Sequence, residues 1–111
     1  MGISTHILDT ALGQPAAGVA LVLSREAGDS WSEIGRGSTD ADGRCRTLLG
    51  EHALEQATYK LRFETAPYFA AQKNAGLYPY VEIIFAVADP LQHYHIPLLI
   101  AASGYTTYRG S

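Results

Sequence analysis

Three of the four histidines and one arginine are the residues of this sequence best suited to chemistry near neutral pH. His93 and His95 stand one residue apart in Gln92-His93-Tyr94-His95-Ile96-Pro97-Leu98-Leu99-Ile100. A strand's period of two puts Tyr94, Ile96, Leu98 and Ile100 on one face and His93, His95, Pro97 and Leu99 on the other. The apolar set belongs to a core, so both imidazoles project to the opposite surface. Pro97 has no N–H to give to a ladder, which predicts an edge, a bulge or an interface there. Imidazole titrates near neutrality and serves as general base or general acid. Equally, two histidines on an outer sheet face are compatible with a solvated pair, since histidine is commonly half-exposed. His6, between Thr5 and Ile7, reads by itself as a surface or half-buried histidine. Arg44 follows the turn Asp40-Ala41-Asp42-Gly43; its permanently charged planar fork suits an anion, although an exposed arginine after a turn is ordinary. Three imidazoles suffice for zinc, and His6, His93 and His95 make such a set, but their spacing does not make them converge.

The elements that must position these residues read as an all-β sandwich. Turn signals recur about every ten residues with alternating patterns between them. Ile3 to Asp9 is a first strand, and Gly13 to Gly18 a turn. Val19 to Ser24 is a second strand, the turn Ala27-Gly28-Asp29-Ser30 follows, and Trp31 to Ser38 is a third strand. Gly43 supplies the positive φ of the next hairpin turn, after which Arg44 to Leu49 returns as a short strand. Thr58 to Thr65 is the clearest strand: Tyr59, Leu61, Phe63 and Thr65 face the core while Lys60, Arg62 and Glu64 face water. One short helix comes next, with Pro67 at its first position, Tyr68 to Asn74 as its body and Gly76 as its stop. Tyr80 to Val87, Gln92 to Ile100 and Tyr105 to Arg109 complete about eight strands.

Composition narrows the function classes. A chain of 111 residues, 47% hydrophobic and 17% charged, predicts one soluble domain spanning residues 1–111 with a single core. The net charge of −3 leaves no basic face for phosphate backbones, so nucleic acid is not an expected partner. No apolar run is long enough to span a bilayer, and the start of the chain lacks a signal-peptide pattern, so the expected place is the cytoplasm and not a membrane. A lone cysteine, Cys45, fits a reducing compartment and reads as a small buried strand residue. Asp40 to Gly43 lacks the ligand spacing and closing Glu of a calcium loop, Gly35-Arg36-Gly37 is too short for a phosphate loop, and no Gly-x-Ser-x-Gly elbow occurs. The ending Tyr105-Thr106-Thr107-Tyr108-Arg109-Gly110-Ser111 is aromatic and β-prone where chain ends usually fray, which predicts a docked tail.

Four stretches together resemble the 5-hydroxyisourate hydrolases of the transthyretin-like family: Ser4-Thr5-His6-Ile7-Leu8-Asp9, Thr39-Asp40-Ala41-Asp42-Gly43-Arg44, His93-Tyr94-His95-Ile96-Pro97-Leu98-Leu99 and Tyr108-Arg109-Gly110-Ser111. Tyr59 to Thr65 fits as well, so the resemblance spans essentially the whole chain. Its most specific element is the ending Tyr-Arg-Gly-Ser, which transthyretin lacks. Ala102 departs from the family, whose members often carry proline there. The resemblance implies a transthyretin-like sandwich of two four-stranded sheets with one short helix. It also implies a homotetramer with sites at the dimer–dimer interface, and catalytic positions at His6, Arg44 and His95. The segment Tyr108, Arg109, Gly110 and Ser111 closes the site on substrate, while His93 carries less weight. The implied reaction is hydrolysis of 5-hydroxyisourate to 2-oxo-4-hydroxy-4-carboxy-5-ureidoimidazoline in urate degradation, with water as the attacking group and neither metal nor cofactor. In that reaction the histidines share the proton transfers, Arg44 holds the anionic ring and its developing oxyanion, and Tyr108 and the Ser111 hydroxyl or carboxylate orient a histidine or the water. Rival expectations are a carrier of small aromatic ligands, a zinc protein and a purely structural sandwich.

Overall fold

The computed structural model describes residues 2–111 and orders them as nine strands and one helix. The strands are β1 (Gly2–Asp9), β2 (Gln14–Pro15), β3 (Ala20–Ala27), β4 (Ser30–Ser38), β5 (Arg44–Cys45), β6 (Ala57–Glu64), β7 (Val81–Val87), β8 (His93–Ala101) and β9 (Gly104–Thr107); α1 (Thr65–Ala71) lies between β6 and β7. They form two sheets. One runs β4-β3-β6-β7; the other runs β2-β1-β8-β9, with β5 also paired to β1. The second sheet therefore holds five strands rather than four, because two two-residue strands share one side of β1. β2 pairs with Leu8 and Asp9, and β5 pairs with Thr5 and His6.

The inner faces follow the alternation expected of half-buried strands. Ile3 and Ile7 of β1, Leu21 and Leu23 of β3, Tyr59, Leu61 and Phe63 of β6, and Leu98 and Ile100 of β8 are all at most 2% exposed and form one core cluster. Burying side chains of this size contributes about 1.5–3 kcal/mol each, which fixes the register of both sheets against a one-residue slip. The outer residues Lys60 and Arg62 are only half in water, because each lies over an aromatic ring, Trp31 at 4.5 Å and Tyr80 at 3.7 Å.

Buried polar groups on β1 tie the layers together. The Thr5 hydroxyl donates to the Ile96 carbonyl at 2.6 Å, locking β1 to β8. Asp9, 2% exposed, accepts the backbone N–H groups of Ala11 and Leu12, both at 3.0 Å, and the Tyr68 hydroxyl at 2.7 Å. This carboxylate closes the turn after β1 and pins α1 to the sheet. Burial, and next the Asp9 contact, push the Tyr68 phenol up from its ordinary pKa.

Three expectations are corrected. The segment after Arg44 leaves the sheet at Cys45, and Leu48, 1% exposed, packs its backbone over Gly35 of β4, where any Cβ would collide with the Leu48 carbonyl. The helix begins two residues earlier than Pro67, which still falls among the first four N–H groups that lack an intrahelical acceptor. It ends through Lys73, whose φ of 58° is left-handed, while Gly76 serves instead to clear the Phe69 ring. Finally, β8 is an interior strand. It runs parallel to β1 from Gly2↔His93 to Asp9↔Ile100 and antiparallel to β9. Pro97 fits there because its missing N–H falls where the β9 ladder breaks. Pairing stops at Leu98↔Thr107 and resumes as a bridge at His95↔Gly110.

Candidate active site

The parallel pairing of β1 and β8 and the antiparallel pairing of β1 and β5 bring the chemical residues onto one outer face. His6 stands opposite Pro97 on one side and Arg44 on the other; Ser4 stands opposite His95, and Gly2 opposite His93. Because Thr5 and Ile7 face the core, Ser4 and His6 must face outward with His93 and His95.

Arg44 is delivered by its turn. Asp40 Oδ1 accepts the backbone N–H of Asp42 at 2.9 Å and of Arg44 at 3.0 Å, and the Asp40 N–H donates to the Arg44 carbonyl at 2.9 Å. Gly43, at φ 76°, sends its carbonyl to the Ile7 N–H at 2.7 Å; a Cβ there would strike the Ile7 carbonyl. The hairpin is thereby bolted to β1, and Arg44 emerges beside His6. The backbone donors at Arg44, and more weakly Asp42 and the nearby guanidinium groups, hold the Asp40 carboxyl below its ordinary pKa against a partial opposing effect of burial.

A cavity of about 160 Å³ opens on this face, lined by Ser4, Thr5, Arg44, Arg46, His93, His95 and Ser111. Ser4 Oγ sits between two imidazoles, 2.7 Å from His93 Nε2 and 2.8 Å from His95 Nδ1. His95 is half-buried and His93 exposed. Burial first, then the positive charges of Arg44, His6, His93 and Arg46, hold the His95 imidazole below its ordinary pKa of 6.5. Among the described residues no salt bridge engages Arg44, Arg46, His6, His93 or His95, so the cavity presents cationic groups with Asp40 as a more distant carboxylate influence. That combination suits a small planar anion, with a neutral imidazole at hand to take a proton. No group of three or more His, Cys, Asp or Glu side chains among the described residues is placed to share a metal ion.

The site residues named from sequence divide. Arg44, His95 and Ser111 line the cavity, and His6 adjoins it on the same face. The Gly110 N–H donates to the His95 carbonyl at 2.8 Å, and a Cβ on Gly110 would stand 2.5 Å from His95 Cδ2. The tail thus lies flat on the imidazole only because glycine is there. Tyr108 and Arg109, expected against substrate, lie elsewhere in this chain. They help line a second cleft with Ile83, Ile84, Tyr94 and Ile96. The Arg109 guanidinium stacks 4.4 Å from the Tyr94 ring and donates to Gln92 Oε1 at 2.8 Å and to the His93 carbonyl at 3.3 Å, which anchors the tail. Three lining residues were not singled out from sequence, Ser4, Thr5 and Arg46. Ser4 and Arg46 are each two positions from a residue that was, His6 and Arg44, and the period of two was the available signal.

Comparison with known proteins finds relatives over nearly the whole chain. The HIUase/Transthyretin family matches residues 3–110. A 5-hydroxyisourate hydrolase of Mus musculus is 45% identical over 111 residues, covering 98% of this chain and 94% of that protein. The 5-hydroxyisourate hydrolase of Klebsiella pneumoniae superposes with a TM-score of 0.86 at 37% identity, covering 100% of both chains. Sea bream transthyretin in complex with thyroxine superposes with a TM-score of 0.91 at 32% identity, covering 99% of this chain and 95% of that one. The chain belongs to the HIUase/Transthyretin family.

Proposed function

We propose that this protein is a 5-hydroxyisourate hydrolase, opening the substrate's ring by attack of water with Arg44, His95 and His6 as the working groups. The observation that carries the reading is the cavity in which Arg44, Arg46, His93, His95 and Ser4 converge from distant parts of the chain. The hydrolases of mouse and Klebsiella among its relatives support it. Arg44 receives the anionic ring on its planar fork and stabilises charge on the carbonyl oxygen as water adds, an effect typically worth ~3 kcal/mol for one preorganised donor. His95 Nδ1 is engaged by Ser4, and Nε2 has no protein partner among the described residues, so Nε2 takes the proton of the attacking water. His6, beside Arg44, shares the proton transfers, and the departing ring nitrogen takes its proton from an imidazole N–H. Gly110 and Ser111 form the site's wall, while Arg109 secures the tail that carries them. No metal or cofactor enters this scheme.

One chain supplies a floor for the substrate but leaves the cavity open. This supports the homotetramer implied by the family resemblance, with a second subunit roofing each site. Among the described residues no helix is long and apolar enough to cross a membrane. The single free cysteine, Cys45, is buried, which favours a reducing compartment, and we assign the protein to the cytoplasm. Freshly generated 5-hydroxyisourate tests the function: its ultraviolet decay is accelerated catalytically and persists after chelation, while a sizing column returns a tetramer. A carrier, the role suggested by the thyroxine complex of the sea bream relative, would bind a ligand without turning it over.

A further inference from the structure

We propose that Ser4 is a positioning residue that couples His93 to His95, so that the exposed imidazole accepts and returns the proton that His95 exchanges during hydrolysis. This rests on the hydrolase reading for its catalytic consequence, but the coupling is a property of three side chains. Ser4 Oγ lies 2.7 Å from His93 Nε2 and 2.8 Å from His95 Nδ1. A hydroxyl carries one proton and two lone pairs, so it donates to at most one ring while accepting from the other or from both. Two of the arrangements that satisfy both contacts let Ser4 pass a proton from one ring to the other. In the first, His95 Nδ1–H donates to Ser4 and Ser4 donates to His93 Nε2, which leaves His95 Nε2 bare and basic. In the second, His93 Nε2–H donates to Ser4 and Ser4 donates to His95 Nδ1, and the His95 proton then resides on Nε2.

Passing between them moves a proton without moving a ring. When His95 Nε2 takes a proton from water, its Nδ1 proton shifts to Ser4 and the Ser4 proton shifts to His93 Nε2. His93 becomes the imidazolium, and His95 is left neutral with an Nε2–H. As that Nε2–H goes to the departing ring nitrogen, the relay runs backward: His93 Nε2–H to Ser4, and Ser4 to His95 Nδ1. Both rings return to their starting state, and no proton is gained or lost. The surroundings favour the transfer. His95 faces Arg44 and Arg46 from the strand β5 and the residue just beyond it, His6 from β1 and His93 from its own strand, with Ser111 across the cavity. A positive charge on the half-buried ring is therefore disfavoured, and Ser4 gives its proton a path toward the exposed edge of the cavity. One hydroxyl thus lets a single imidazole act as base and then as acid.

The test uses Ser4→Ala, Ser4→Thr and His93→Ala in the full chain. Ser4→Ala lowers kcat for 5-hydroxyisourate ~10- to 100-fold, with KM within about twofold, and Ser4→Thr restores it because threonine keeps the hydroxyl and suits a strand. His93→Ala lowers kcat similarly, and free imidazole restores it where an equal ionic strength of salt does not. In parallel, ring nitrogen NMR of the wild type shows His93 and His95 titrating as a coupled pair, and in Ser4→Ala as two independent groups. Wild-type kcat in both alanine variants, or an unchanged NMR titration in Ser4→Ala, overturns the proposal. A wild-type protein inert toward 5-hydroxyisourate defeats the hydrolase reading alone, and the NMR titration then decides the coupling by itself.

Discussion

The outer faces of the two sheets use the same kinds of cation for opposite ends. On β6, Arg62 pairs with Glu64 at 2.9 Å, Lys60 and Arg62 each reach Glu82 at 3.5 Å, and both cations lie over aromatic rings. That surface is electrostatically closed. On β1, β5 and β8, Arg44, Arg46 and three imidazoles gather around a cavity with no salt bridge among the described residues. Charge left unpaired next to a cavity costs folding energy and is available to a ligand; charge paired on an exposed sheet contributes little, typically about 0–1 kcal/mol per pair. Sequence neighbours alone do not separate the two faces. What separates them is where the carboxylates sit.

The largest effect that sharpens this contrast is Arg44→Ala. It lowers kcat/KM ~100- to 1,000-fold, with a melting temperature close to wild type, because no partner is orphaned by the loss. Arg44→Lys keeps the charge but not the fork and recovers only part of the activity. Substituting Gly110 comes next. In Gly110→Ala the new methyl group meets His95 Cδ2 at 2.5 Å, so the ring or the tail must move, and kcat falls ~10-fold or more while thermal unfolding changes less.

pH dependence gives a smaller, signed effect. His95 acts as a base only when unprotonated, and its pKa lies below 6.5 through burial and then the surrounding cations. The acid limb of kcat/KM therefore falls below 6.5, and Arg44→Gln moves it up toward that value. The same shift makes the folded state bind fewer protons than the unfolded chain. Stability from this group is thus lost as pH drops through 6.5 toward the folded-state value, and levels off beneath it. The smallest effect is that of Arg62→Ala on the closed face. It costs under about 1 kcal/mol in urea unfolding and leaves hydrolysis at the wild-type rate. A large activity loss there would break the comparison.

Much of this arrangement is legible in the sequence, and the remainder fails for identifiable reasons. The alternation of Tyr94, Ile96, Leu98 and Ile100 places His93 and His95 on the outer face because one methylene-rich side must be buried. The turn Asp40 to Gly43 is written in its residue types, and it sets Arg44 at a strand start. The two-residue pairing of β5 with β1 is not readable, since so short a contact between distant segments leaves no periodic trace. Pro97 marks an irregularity but not its kind: β8 is no edge strand, and the neighbouring strand is interrupted opposite the proline. The tail is not legible residue by residue, because it leaves β9 at Thr107: Arg109 then turns toward Tyr94 and Gln92, and Gly110 and Ser111 reach the His95 side. Ser4 carries no signal of its own type. Its importance comes from standing opposite His95 in a parallel register that appears only once the chain has folded.

The central claim is that His95, held by Ser4 in a cationic cavity, removes the proton from attacking water. The decay of freshly generated 5-hydroxyisourate, followed in the ultraviolet for the wild type beside a folded His95→Asn variant of equal melting temperature, tests it most directly. The account predicts rapid decay with the wild type and a rate ~100- to 10,000-fold slower with the variant. Equal rates for the two proteins would contradict it.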